Sequence, residues 1–470
     1  MKYVSTRGQA PDLGFCDVLL TGLARDGGLY VPDVWPTLDE GAIRAFRGMP
    51  YAQVAKTVLW PFVEGEVERS AFEDMVDEAY ATFRHPAVCP LVQVGEQDFI
   101  LELFHGPTLA FKDVAMQLLA RLMDHVLGQR DARATVVGAT SGDTGGAAID
   151  AFKGRDRADM FILFPHGRVS EVQRRQMTTV HDKGVHAVAI EGNFDDCQDL
   201  VKAMFNDHRF RDGVGLSGVN SINWARIMAQ VVYYFTAAAS LGAPDRPVSF
   251  SVPTGNFGDV FAGYVAKRMG LNASINALTV ATNRNDILAR CLATGRYEKL
   301  GVEASHSPSM DIEISSNFER LLYFAHDRDA AKVQALMDRL KQSGAFDIDP
   351  GPLAAIRSEF AAGACSEDET LATIKRVQEE TGYLLDPHTA VGLKVAEEAA
   401  AAQALRITLG TAHPAKFPDS VERAVNMRPA LPHWLGDLME REERFDVLPA
   451  TLNAVQDYIS QRSRAAQNTA

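Results

Sequence analysis

The residue most capable of chemistry in this sequence is a lysine. In LELFHGPTLAFKDVAMQLLARL, a break at Gly106-Pro107 is followed by a helical pattern that begins near Lys112. A lysine at a helix start opposes the helix dipole, which favours acids there. Lys112 also stands between Phe111 and Val114, in apolar company. The positive helix end and desolvation both lower the pKa of an amine so placed. An amine with a lowered pKa can attack an aldehyde to form an imine. Taken alone, Lys112 is equally readable as a solvated side chain paired with Asp113.

Two further stretches could hold anions. In ATVVGATSGDTGGAAIDAF an apolar run ends at Thr140 and leads into Ser141, Gly142, Asp143, Thr144, Gly145 and Gly146. Glycines let the backbone turn tightly, and the free N–H groups of the helix that follows, with the hydroxyls, face one point. VSFSVPTGNFGDVFAGYVAKRMG repeats the arrangement with Thr254, Gly255, Asn256, Phe257, Gly258 and Asp259. It is not a P-loop, since no Lys-Ser/Thr follows the glycine, and it does not match GxGxxG. Either loop alone is also readable as an ordinary strand–helix turn. Together, an imine-forming lysine, a phosphate cradle and a second anion site for an amino-acid carboxylate are what pyridoxal phosphate and an amino-acid substrate require.

The elements that must position these residues alternate along the chain. Apolar runs at 134–140, 160–164, 186–192, 248–255 and 405–410 include several that are continuous, as in strands covered on both faces. Helical patterns lie between them, in DVAMQLLARLMDHVL, SEVQRRQM and WARIMAQVVYYFTAAA. This predicts an α/β chain with parallel sheets built from right-handed βαβ units. The first ninety or so residues read as a small separate unit, with turn signals at Arg25-Asp26-Gly27-Gly28 and Pro32 and an amphipathic helix in AFEDMVDEAYATF. Residues 325–405, with an Ala run at 399–402, read as helical, and the polar tail SQRSRAAQNTA is expected to fray.

Bulk composition bounds the rest. A chain of 470 residues suggests two or three domains. A net charge of −14 disfavours nucleic acid as a partner, since phosphate backbones need a basic surface. No stretch approaches the roughly 18 apolar residues of a spanning helix, and the N-terminus lacks the apolar run of a signal peptide. The five cysteines are odd in number and form no CxxC pair, which argues for a reducing compartment without disulfides. A cytoplasmic protein is expected.

Some residues are better read as structural. Asp386 and His388 in DPHTAVG are expected to fix a loop. His413 is as readable as a cap as a substrate contact, and His105 could orient cofactor or substrate phosphate or simply satisfy a turn. His181 and His186 lack a further ligand for a metal, and no metal is expected. Phe161, Leu163, Phe164 and the aromatics of VVYYF read as core.

Longer motifs are spread from end to end: GLARDGGLYVP, FHGPTLAFKD, ATSGDTGGAA, VNSINWARI, PTGNFGD, DPHTAVG and TAHPAKF. With these, the chain resembles the threonine synthases of the longer bacterial and fungal type, in the fold type II family of pyridoxal-phosphate enzymes. The resemblance implies that Lys112 holds the cofactor, and it lends His105 in the same motif a slight functional preference. It implies that Thr140, Ser141, Gly142 and Thr144 grip the substrate carboxylate. Asp143 stands where many fold type II enzymes have an Asn beside the cofactor's 3-hydroxyl. Gly255, Asn256, Phe257, Gly258 and Asp259 match the cofactor phosphate cradle. Thr411 matches the hydroxyl that bonds the pyridine nitrogen, giving a tempered electron sink suited to elimination and replacement. Asn220, Ser221 and Arg226 match positions that bind the substrate phosphate, a task suited to the planar fork of Arg226.

The implied reaction turns O-phospho-L-homoserine and water into L-threonine and phosphate, in a monomer or homodimer. The implied architecture places residues 1–90 in an N-terminal domain, 91–110 with 215–430 in a large cofactor-binding domain, 111–214 in a small α/β domain, and 431–470 in a C-terminal helical extension, with the active site between the sheets. Two alternatives remain: a related phospho-lyase releasing 2-oxobutyrate, and a non-catalytic metabolite-binding descendant. Threonine dehydratase and cysteine synthase fit less well, because their loops usually carry Asn where Asp143 stands.

Overall fold

The computed structural model describes residues 1–399 and 405–467. The Ala run expected at 399–402 falls outside these residues except at Ala399. Two parallel sheets organise the chain. The larger has six strands in the order Phe360–Ala364, Ile275–Thr282, Val248–Pro253, Leu405–Gly410, Asp98–Glu102 and Leu91–Gln93. All its pairings are parallel except the last, in which Leu91–Gln93 runs antiparallel to Asp98–Glu102. The smaller has five strands, Asp446–Pro449, Val185–Glu191, Ala158–Pro165, Ala134–Ala139 and Leu216–Ser217, all parallel. Every residue of Ala158–Pro165 is buried, which is why its run reads as apolar without alternation.

The helix Trp224–Ser240 binds the halves together. It is apolar on nearly all sides, as a helix must be when surrounded by protein. It packs against Tyr51–Val63, Lys112–Gln129 and Gly258–Ala266, and Lys112–Gln129 in turn packs on Asp143–Phe152. Four of these helices carry a residue singled out above in their first turn. Lys112 and Asp143 are the first residues of their helices, Gly258 is the first of its own, and Arg226 lies in the first turn of Trp224–Ser240.

Several expectations need correction. The N-terminal unit is packed closely on the rest of the chain: the ring of Tyr3 lies 6.0 Å from that of Trp224, and both belong to one continuous core. Its strand pair, Tyr3–Ser5 with Tyr30–Pro32, is clasped by Glu319, which accepts from Thr6 at 2.6 Å and from Arg7 at 3.0 and 2.9 Å. The helical region after 325 includes two short strands, Ala345–Asp347 and Phe360–Ala364. The segment 431–470 is not a helical extension. Its strand Asp446–Pro449 forms the edge of the small sheet, and Val455, Tyr458 and Ile459 of the helix Leu452–Arg462 cover that sheet's core. This edge strand is mostly exposed and ends in proline, so it carries no apolar run to be read. At the other edge, Leu216–Ser217 carries the small sheet past the boundary expected at 214. The tail does not fray through Gln467: Ser463 bonds Thr135 at 2.6 Å, and Arg464 bonds the buried Asp159 through its amide and guanidinium at 2.7 and 2.6 Å. Among the described residues no helix is long and apolar enough to cross a membrane.

Arg464→Ala leaves the Asp159 carboxylate buried without its cation. Breaking such a pair from one side costs about 3 kcal/mol, and a lowered urea midpoint for loss of the small sheet is the expected readout.

Candidate active site

Helix N-termini carry unpaired N–H groups and partial positive charge. Here the first turns from Lys112, Arg226 and Gly258, with Thr144 from the helix begun by Asp143, face one cavity. Ser221, Gly255, Asn256, Asp259 and Thr411 complete most of its wall. The strand ending at Gly410 is tied to the entry of the Lys112 helix, for the Phe111 amide donates to the Thr411 carbonyl at 2.9 Å.

Lys112 is buried. Its Nζ lies 3.2 Å from Asp143 Oδ2 and 3.5 Å from Ser309 Oγ, with the Phe111 ring centre 5.2 Å away. Burial holds this amine below the ordinary lysine value, although Asp143 pulls it back up. Asp143 is crowded with donors. Oδ1 receives Lys416 at 2.8 Å and Gln173 at 3.0 Å, and Oδ2 also receives Ser309 at 3.1 Å. Burial opposes its charge, yet the ammonium groups of Lys112 and Lys416 hold the carboxyl well below the usual carboxylate range.

The loop before Asp143 is built by Thr140 and Gly142. Thr140 Oγ1 accepts from the amides of Gly142 and Gly145, both at 2.9 Å. Gly142 has φ +145°, and a Cβ there would lie 2.4 Å from the Gln173 side chain. Thr140 thus shapes the turn with its hydroxyl, Ser141 is exposed, and Thr144 is the one of the four predicted carboxylate-binding residues that lines the cavity.

The Gly255–Gly258 turn faces the cavity through Gly255, Asn256 and Gly258. Phe257 contributes backbone alone: it adopts φ +64° ahead of the helix, and its buried ring packs on Phe318 and Phe360 at 5.4 and 5.6 Å. Asp259 is buried, which pushes its carboxyl up to about 6. Arg226 is also buried, its Nη1 donating to the Val219 carbonyl at 3.2 Å. Its Nε has no hydrogen-bond partner among the described residues. Burial pushes this guanidinium down to about 10. Ser221 lines the cavity with it, whereas the exposed Asn220 does not.

Sequence reasoning missed Ser309, Met310 and Gln230 in the lining, and Lys416 and Gln173 behind it. Ser309 sits in the short turn Pro308–Met310, which has no periodic pattern around it. His388, expected to be structural, also lines the cavity. Its Nε2 accepts the Ser309 amide at 3.1 Å, so its proton is on Nδ1 and is donated to Asp386 at 2.8 Å. His105, given a functional preference, is instead engaged by Glu102 at 2.7 Å outside the lining. His413 caps the turn Pro414–Lys416 by accepting the Ala415 amide at 3.1 Å, and burial pushes it down to about 4. His181 bonds the Glu442 carbonyl and His186 stacks on Phe161, and no group of metal ligands occurs among the described residues.

Residues 92–408 match the family profile of pyridoxal-phosphate-dependent enzymes, spanning the large sheet and most of the small one. The class is therefore that of pyridoxal-phosphate-dependent lyases of the type II fold, with pyridoxal 5'-phosphate as cofactor. Residues 2–80 match the profile of the threonine synthase N terminus and 389–459 that of the threonine synthase C-terminal region. A threonine synthase of Pseudomonas aeruginosa is 54% identical, with 98% of each chain covered. A crystal structure of pyridoxal-phosphate-bound threonine synthase from Brucella melitensis superposes with a TM-score of 0.97 at 65% identity, covering 99% of this chain and 100% of that one. Threonine synthase from yeast superposes with a TM-score of 0.93 at 39% identity, covering 98% of each chain. The chain belongs to the threonine synthase family.

The donor set fits the cofactor. A buried amine, a glycine turn opening a helix, a buried hydroxyl at Thr411 and an unpaired guanidinium nitrogen on Arg226 face one space. Gly255 is fitted tightly to this wall, for a Cβ there would lie 2.8 Å from the Ser309 carbonyl oxygen. Gly255→Ala therefore has to displace either the glycine turn or Ser309. With overpacking worth about 1–3 kcal/mol, cofactor affinity measured by spectroscopic titration is expected to fall about tenfold.

Proposed function

We propose that the protein converts O-phospho-L-homoserine and water to L-threonine and phosphate. The observation that carries this reading is the meeting of three things in one cavity wall: the Lys112 amine, the Gly255–Gly258 turn and the incompletely bonded guanidinium of Arg226. The turn supplies one phosphate site and Arg226 a second, as a phosphorylated cofactor acting on a phosphorylated amino acid requires.

The residue roles follow. Lys112 would hold the cofactor aldehyde, the amides of Gly255, Asn256, Phe257 and Gly258 its phosphate, and Thr411 its ring nitrogen. Asp259, at the start of the same helix, closes that end. Asp143 would face the cofactor's 3-hydroxyl side. Thr144, with the turn of Thr140, Ser141 and Gly142, would receive the substrate carboxylate. Arg226 and Ser221, with Asn220 at the turn before Ser221, would receive the substrate phosphate.

When bound, the cofactor supplies the electron sink that makes protons on the amino-acid carbons labile. Lys112 is the buried base beside it. Its Nζ would take the proton at Cα and then one at Cβ. Arg226 steadies the negative charge that gathers on the departing phosphate. Threonine bears a methyl group at Cγ and a hydroxyl at Cβ, so Lys112 must return protons at Cγ and Cα while water adds at Cβ. An amine that begins uncharged can perform each of these transfers, and burial favours that state.

The same proposal places the protein in the cytoplasm, in keeping with five buried free cysteines. A monomer or homodimer is the assembly this reading carries.

Incubation with phosphohomoserine is expected to yield threonine and phosphate in equal amounts. Release of 2-oxobutyrate in place of threonine would turn the reading to the lyase, and no turnover by cofactor-loaded protein would turn it to a binding protein. Lys112→Ala is expected to abolish turnover and, after borohydride reduction, to leave no cofactor covalently attached by mass. Arg226→Ala is expected to raise KM for phosphohomoserine by about tenfold or more, the value of a charged hydrogen bond of about 1.5–3 kcal/mol.

A further inference from the structure

Lys416 ends the turn Pro414–Lys416 that follows Thr411, and its side chain is wholly closed to solvent. Its Nζ lies 2.8 Å from Asp143 Oδ1 and donates to the Thr108 carbonyl at 2.6 Å. Lys112 approaches the other oxygen of the same carboxylate at 3.2 Å, with Ser309 Oγ as its second neighbour at 3.5 Å. A dry interior tolerates a charge when it is paired and hydrogen-bonded. Two amines share one carboxylate here, so full protonation leaves one positive charge without a partner. Lys416 makes the nearer and better-bonded pair with Asp143, and Lys112 the longer one.

We propose that Lys416 is the standing counter-ion of Asp143 and that, by occupying this carboxylate, it frees the Lys112 amine to serve as an uncharged nucleophile and base. Lys416 does not line the cavity, so it is a positioning residue that acts through Asp143. The inference rests on the reading of Lys112 as the cofactor-holding lysine.

The other charged groups around the pair do not take over either role. Arg226 and Asp259 face Lys112 from the helices Trp224–Ser240 and Gly258–Ala266, and they oppose one another. Asp113, next to Lys112 in the chain, is pushed up to about 7 by burial and already accepts the Thr108 amide and hydroxyl at 2.8 and 2.6 Å. His413, near Lys416, is pushed down to about 4 by burial and is uncharged at neutral pH. The balance at Lys112 has the matching directions: burial lowers its amine, Asp143 raises it, and Lys416 lowers it again.

Competitive acylation of the full-length chain freed of cofactor, with modified peptides quantified by mass spectrometry, reads the pH midpoint of Lys112 reactivity without turnover. Lys416→Met is expected to move that midpoint up by about one to three pH units, the reach of a neighbouring charge. Lys416→Arg, which keeps the charge, is expected to stay near the parent value. Asp143→Asn is expected to move the midpoint down, and the double variant Lys416→Met/Asp143→Asn to stay with Asp143→Asn alone, since Lys416 acts through that carboxylate. An unmoved midpoint in Lys416→Met would overturn the proposal. Where that variant does not fold, a double variant whose midpoint departs clearly from that of Asp143→Asn alone overturns it equally. Borohydride reduction that fixes the cofactor to a lysine other than Lys112 would defeat the site reading instead, an outcome separate from these midpoints.

Discussion

Asp143 is the hinge of the site's electrostatics. Its four contacts, from Lys112, Lys416, Gln173 and Ser309, reach it from four separate stretches of the chain. A buried carboxylate so supplied stays charged, and that charge fixes where each of the four donors must be. Gln173 stands in the helix Glu171–Thr178 of the small-sheet half, and Lys416 follows the last strand of the large sheet. The carboxylate therefore also sets the distance between the two halves at the cavity.

The arrangement works because helix beginnings converge. A Rossmann-like sheet delivers its ligands at the ends of strands, where the following helices start. In this chain Trp224–Ser240 adds a further N-terminus that follows an irregular stretch and does not extend directly from a long strand. It is buried along almost its whole length, and that burial holds Arg226 in place where a surface helix could not. The unpaired Nε is costly in a dry wall, and under the proposed function a substrate anion would offset that cost by bonding it.

Much of this arrangement is legible in the amino-acid order alone. The long buried strands Ala158–Pro165 and Val248–Pro253 announce themselves as apolar runs, and the three glycine or proline breaks locate the strand–helix turns that carry Lys112, Asp143 and Gly258. What stays hidden shares a physical reason. Asp446–Pro449 is an edge strand with an exposed side, and Leu216–Ser217 is two residues long, so neither leaves a pattern. Ser309 and Lys416 act through contacts distant in sequence, 166 and 273 positions from Asp143, and local spacing says nothing about such pairs. Lys416 is visible within TAHPAKF, but a lysine in a turn reads as solvated until burial is known. Conversely Thr140 and Phe257 belong to the right loops, yet one spends its hydroxyl on the turn and the other sends its ring into the core.

The return of the C-terminus to the small sheet has a bearing on how the protein is made. Strand Val185–Glu191 finds its outer neighbour in Asp446–Pro449, and the helix that seals that face ends at Arg462. A ribosome must therefore deliver nearly the whole polypeptide before this half can close. Until then a row of backbone donors and acceptors on Val185–Glu191 stands open to other strands, the situation in which nascent proteins depend most on chaperones.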